Sequence, residues 1–139
     1  MSSKLQAFLQ PVKTEVTQEI IISDRFLSED GNPAKITIKG ITQEENTRLI
    51  KLSTKTDKSK GQITETFDKH EYQSRLIVAC TVNPAFADKE ICAAYGVVDP
   101  LSVPAKMFLA GEFAKLVDAI LEINGFKDID ELTAEAKNF

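Results

Sequence analysis

Tryptophan is absent from this 139-residue chain, histidine occurs once and cysteine twice. That poverty removes most catalytic chemistry before any motif is sought. His70, Cys80 and Cys92 are the only groups available for a Cys–His dyad. If His70 and Cys80 share a helix, a rise of ~1.5 Å per residue holds them about 15 Å apart along its axis. His70 reads instead as a surface residue near a helix start. No CxxC occurs, and the cysteine spacing suits no metal. No signal peptide is recognisable, which points to a reducing cytoplasm and free thiols. No apolar run approaches the ~18 residues that a membrane span needs. Glycine-rich phosphate loops are missing too, both the P-loop and the dinucleotide type. A net charge of −4 gives no general pull toward nucleic acid or an anionic membrane.

What is present suffices for one ordinary domain spanning residues 1–139, because 42% of the residues are hydrophobic and 27% are charged. Three parts are distinguished: a short amphipathic segment at 1–12, a strand-rich part at 13–67 and a helical part at 68–139. In the first, Leu5, Phe8 and Leu9 stand at i, i+3 and i+4, and Pro11 stops the turn. A helix this short is marginal in water, so it must dock. Docking on its own domain and docking on a partner are both open.

"TEVTQEIIISDRF" is rich in β-branched residues and reads as a strand. Asp30-Gly31 signals a turn, and "KITIKGI" alternates with period two, as a strand with one wet face does. Together they predict an antiparallel hairpin, which needs a third strand or helical backing. "ITETF" at 63–67 is a candidate third strand. Thr42 and Glu45 form a capping box opening a helix that runs to about Leu52. The polar "STKTDKSKGQ" reads as a solvated loop.

From Asp68 onward the chain reads as helical. Asp68 is an N-cap with Glu71 at N3, Tyr72, Leu76, Ala79 and Cys80 share a face, and Asn83-Pro84 ends the element. A short helix follows, with Phe86, Cys92 and Tyr95 as core candidates and Gly96 as its stop. Pro104 suits the first turn of another. In "MFLAGEFAKLVDAILEINGF" the residues Phe113, Leu116, Val117, Ile120 and Leu121 build a wide apolar face, and Gly125 terminates the helix. Gly111 is expected to mark a break before it. Met107, Phe108 and Leu109 precede that break as excess apolar surface, one face closing the core and another free for a partner. The chain closes on an acidic helix. The predicted fold is therefore α+β, with a small antiparallel sheet or hairpin in the N-terminal half packed on a mainly helical C-terminal half.

Carboxylates offer little chemistry. Glu112 and Asp118 lie six residues apart, a net rotation of roughly 240°, so they face apart on one helix. Glu112 fits a helix start, where the dipole favours negative charge. Asp24, Glu29, Asp30 and Asn32 cluster but lack the calcium-loop pattern, and turn chemistry accounts for them. No catalytic, cofactor or metal residue is assigned.

The segments "LQAFLQPV", "ISDRFLSEDGNPAKITIKGIT", "EYQSRLIVACTVNP" and "GVVDPLSVPAKMFLAGEFAKLVDAILEINGF", in that order, carry a resemblance. With its short acidic ending, the chain resembles the XkdN-like family of phage tail assembly chaperones, found in tailed phages and defective prophages. The departures are Pro11 and the Ala34-Lys35 pair, where a bulkier apolar pair would suit a strand. The resemblance implies a small non-enzymatic protein in the cytoplasm of the bacterial host. It would hold the tape measure protein soluble and help tail tube protein polymerise around it. The residues expected to meet such a partner are Leu5, Phe8, Leu9, Met107 and Phe108. No cofactor, nucleic acid or membrane is implied, and a homo-oligomer is left open. The rival readings are a structural subunit of a phage tail or phage-like particle, and a small enzyme or ligand-binding domain with a pocket beside Glu71, Glu112 or His70.

Overall fold

A computed structural model describes residues 3–9 and 16–136. Pro11 and the first residues of the expected first strand lie outside the described residues. Helix α1 spans Ser3–Leu9. Strands β1, Thr17–Ile20, and β2, Ile36–Lys39, pair antiparallel with Gln18 opposite Ile38 and Ile20 opposite Ile36. The period-two pattern of β2 holds: Ile36 and Ile38 are buried, while Thr37 and Lys39 are half-buried. The long connection between the strands is braced by a bridge between Leu27 and Pro33. The turn at Asp30-Gly31 lies at its tip.

The third strand of this sheet comes from an unexpected place. Helix α3, Lys69–Cys80, stops where β5, Thr81–Asn83, begins, and β5 adds to the far side of β2. The segment expected to be helical up to Asn83-Pro84 is thus helix only to Cys80 and strand beyond it. Thr81 and Val82 are β-branched, and Pro84 bars the helical conformation at Asn83, so the chain turns extended and completes the sheet.

The stretch 53–62, expected to be a solvated loop, contains a strand instead. Thr54–Asp57 is strand β3, and it pairs antiparallel with β4, Thr64–Phe67, as a separate two-stranded sheet. "ITETF" is therefore a strand, but it does not join the sheet of β1 and β2. Both faces of this hairpin are wet except at its base, where Thr54 and Phe67 are half-buried. No alternation of apolar and polar residues announces it. Its base is anchored by the buried Ser53, which donates from Oγ to the Leu49 carbonyl (2.8 Å) and accepts the Asp68 N–H (2.8 Å).

Local capping sets the helices. In α2, Gln43–Leu52, the Thr42 hydroxyl accepts the Glu45 N–H (3.2 Å). In α3, the Asp68 carboxylate accepts the Glu71 N–H (3.0 Å). Asp88 caps α4, Lys89–Ala94, and Asp99 caps a 3-10 turn that leads into α5, Val103–Met107, with Pro104 in its first turn. Helix α6 is Ala110–Ile123, and α7 is Ile129–Ala136. Gly96 and Gly125 both have positive φ. The residue after each donates its N–H back to the last turn, Val97 to the Cys92 carbonyl (3.0 Å) and Phe126 to the Leu121 carbonyl (2.9 Å). These are glycine-stopped helix ends of the Schellman type.

On α6, Leu116, Val117, Ile120 and Leu121 are buried and Phe113 is half-buried. They meet α3 (Tyr72, Leu76, Ile77, Cys80), β2 and Val103 in one hydrophobic cluster, with Leu132 of α7 added. The break before α6 falls at Phe108 and Leu109, whose backbones are extended, whereas Gly111 sits inside the first turn. The expected break at Gly111 is thus shifted by two residues. Leu109 takes the cap position, so the glycine needs no special conformation.

Candidate partner-binding surface

The fold treats the two apolar places expected to meet a partner differently. On α1, Leu5 (58% exposed), Phe8 (83%) and Leu9 (59%) all face solvent. The i, i+3, i+4 spacing sets them on one side of a seven-residue helix. So short a helix has little stability of its own, because nucleation is costly and few bonds follow it.

The second place divides residue by residue. Met107 is half-buried, Phe108 is 6% exposed and Leu109 is 60% exposed. Phe108 stands edge-on to Phe26 (centroids 5.8 Å) and to Phe86 (6.3 Å). It is therefore a core residue rather than free surface, and the exposed member of the run is Leu109. The reason is the extended backbone at 108–109, which turns successive side chains to opposite sides. Beside Met107 lies a groove of about 240 Å³ with Ile22, Phe26, Ile36 and Pro84 in its lining.

Glu112 is held in place by an ion pair that the sequence did not announce. Arg25, on the connection between β1 and β2, donates from Nε (2.9 Å) and Nη2 (2.5 Å) to the Glu112 carboxylate, and Nη2 also reaches the Met107 carbonyl (3.1 Å). The Arg25 guanidinium lies 4.8 Å from the centroid of the Phe26 ring. Glu112 also accepts the Leu109 N–H (2.8 Å), the reach-back half of a capping box. Hydrogen bonding from Arg25 first, then from Ser23 and the Leu109 N–H, brings the Glu112 pKa down to about 2. A carboxylate so committed is a poor general base near neutral pH. Its work is to fix the β1–β2 connection against the start of α6.

Other chemistry stays dispersed. His70 is exposed on α3, whereas Cys80 and Cys92 are buried free thiols. Burial pushes the Cys80 thiol up to about 12, with a hydrogen bond from Asn124 pulling the other way. Cys92 donates to the Phe86 carbonyl. Among the described residues no group of three or more His, Cys, Asp or Glu side chains is placed to hold a metal ion. No described helix is long and apolar enough to cross a membrane. Asn124, also missed in the sequence, is a hub. Its Oδ1 accepts the Ile41 N–H (2.8 Å) and its Nδ2 donates to the Ile120 carbonyl (2.8 Å), tying the exit of β2 to the end of α6.

With no chemical centre assembled among the described residues, kinship carries the assignment. The family model for the phage XkdN-like tail assembly chaperone protein matches residues 5–137. The chain belongs to that family. It is 34% identical over 138 residues to the phage-like element PBSX protein XkdN of Bacillus subtilis (strain 168), covering 95% of this chain and 93% of that protein. It is 35% identical over 138 residues to protein YqbN of the same organism, covering 95% and 92%. The crystal structure of YqbN superposes with a TM-score of 0.72 at 29% identity, over 86% of this chain and 95% of that one. The XkdN-like chaperone match thus takes in Leu5, Phe8 and Leu9 of α1 as well as the Arg25–Glu112 clamp.

Proposed function

We propose that this XkdN-like protein binds the tape measure protein of a phage or prophage tail, keeps it soluble in the host cytoplasm and assists assembly of tail tube protein around it, without catalysis. A tape measure protein is long, helical and rich in apolar faces, and it aggregates if left uncovered. The observation carrying the reading, beyond family membership, is α1: three large apolar side chains, all more than half exposed, on a helix too short to stand alone. An amphipathic helix of this kind gains order by laying its apolar side against another helix. Leu109 and Met107 offer a second apolar contact at the start of α6.

Co-expression with the tape measure protein tests the proposal. Soluble yield of the tape measure protein is expected to rise, and the L5S/F8S/L9S variant is expected to lose that effect while keeping the parent melting temperature. An unchanged yield with the parent chain refutes the chaperone reading. A variant that unfolds instead makes α1 part of the core. Retention of the protein in finished tails at fixed copy number would favour a structural subunit.

A further inference from the structure

Strands β3 and β4 form a sheet of two, and among the described residues no third strand reaches either edge. Lys55, Thr56 and Asp57 of β3 are exposed, as are Thr64, Glu65 and Thr66 of β4. A two-stranded hairpin with both faces wet is marginal in water. An open strand edge also offers its backbone donors and acceptors to any chain that can pair with it. The hairpin register fixes which groups those are. Lys55 stands opposite Thr66, Thr56 opposite Glu65 and Asp57 opposite Thr64. At the base the Ser53 carbonyl accepts the Asp68 N–H, and antiparallel bonding alternates from there along the strand. The backbones of Lys55 and Asp57 therefore bond inward to β4, and the N–H and carbonyl of Thr56 point out from the free edge.

We infer that β3 is the self-pairing edge of a symmetric dimer, in which Thr56 of one copy bonds antiparallel to Thr56 of a second copy. Charge selects this occupant. In that register Lys55 of each copy stands opposite Asp57 of the other, so two ion pairs form. Both fall at non-hydrogen-bonded positions, where opposed side chains are closest. A slide of two residues in either direction brings Lys55 against Lys55 or Asp57 against Asp57. A lysine on an edge strand ordinarily guards against pairing, and Asp57 two residues on makes it select one register instead. Both side chains are available. That of Lys55 is 66% exposed and reaches Asp68 and Glu71 only at 3.6 and 4.0 Å. Asp57 accepts the Ser59 N–H through Oδ1. Strand β4 offers no such pair, because Glu65 is its only charged residue. The two-fold axis closes the assembly at two copies and joins the hairpins into one sheet of four strands. None of the residues offered to the tape measure protein is used.

Sedimentation of the full-length protein up to about 1 mM tests the pairing, since so small an interface gives a Kd on the order of 100 µM. The parent should pass reversibly from monomer to dimer. K55D opposes two pairs of aspartates and D57K two pairs of lysines, so each alone should weaken the dimer by about tenfold or more. An equimolar mixture of K55D and D57K should dimerise again, because each copy supplies the charge that the other needs. A mixture of isotope-labelled and unlabelled parent tests the same register without substitution. It should show a nuclear Overhauser contact between the Hα protons of Lys55 and Asp57 across copies, and this decides the matter if either variant does not fold. L5S/F8S/L9S should dimerise as the parent does, and loss of association in it would assign the contact to α1 and overturn the inference. A dimer that survives in both K55D and D57K, or folded variants whose mixture stays monomeric, also overturns it. So does a parent that is monomeric throughout, which leaves the β3 edge to a strand of another protein.

Discussion

Replacing Phe108 by alanine separates two accounts of the apolar run before α6. If Phe108 were partner-facing surface, its loss would leave the free protein nearly unchanged. In the fold it is 6% exposed and stands edge-on to Phe26 and Phe86. Truncating a buried phenylalanine costs about 3–5 kcal/mol through lost transfer energy and the cavity left behind. Loss of two edge-to-face contacts argues for the upper part of that range. Two neighbours argue for the lower part: Phe26 and Met107 are only half-buried, and a methionine moves readily into a gap. We expect about 3–4 kcal/mol for F108A, and a melting temperature lower by roughly 10–15 °C for a chain of this size. L109A, removing a side chain that is 60% exposed, should stay within about 0.5 kcal/mol of the parent. Urea unfolding followed by far-ultraviolet circular dichroism measures both, and suits a chain with no tryptophan reporter. If F108A falls within about 1 kcal/mol of the parent while L109A costs more than about 2 kcal/mol, the placement of the break at 108–109 is wrong.

Two further predictions rest on titration and burial. The Glu112 carboxyl lies at about 2 when folded, against an ordinary value of 4.5. A depressed folded value contributes stability that is fully present above about pH 4.5 and lost as pH falls from there toward 2. The urea midpoint of the parent should therefore fall more steeply over that window than that of E112Q, and parallel curves would contradict the Arg25 clamp. Ellman's reagent at mild alkaline pH should find almost no reactive thiol in the native protein and two in guanidinium, because burial holds Cys80 protonated and Cys92 is enclosed near Phe86. Rapid native labelling of Cys80 would mean that the α3–α6 contact opens readily.

The sequence was most legible where a local rule operates. Thr42 and Asp68 cap as their spacing requires, Gly96 and Gly125 stop their helices, and the apolar face of α6 is buried as its periodicity demands. It was least legible where pairing joins distant segments. A three-residue strand such as β5 has no pattern of its own and exists because β2 offers an edge. Strand β3 is polar on both faces, so the periodicity that reveals half-buried strands is silent there.

The candidate partner residues show the same division. The spacing of Leu5, Phe8 and Leu9 alone defines one apolar side of a helix, and the order of the matching segments alone brings the chain into the XkdN-like chaperone family. Sequence does this well because capping, periodicity and kinship are properties of neighbouring residues. Only the tertiary structure decided that Phe108 is core while Leu109 is surface, and that Glu112 belongs to Arg25, 87 residues away in the chain. Each of those outcomes depends on which distant side chains arrive at the same place, and burial and charge pairing are settled by that meeting.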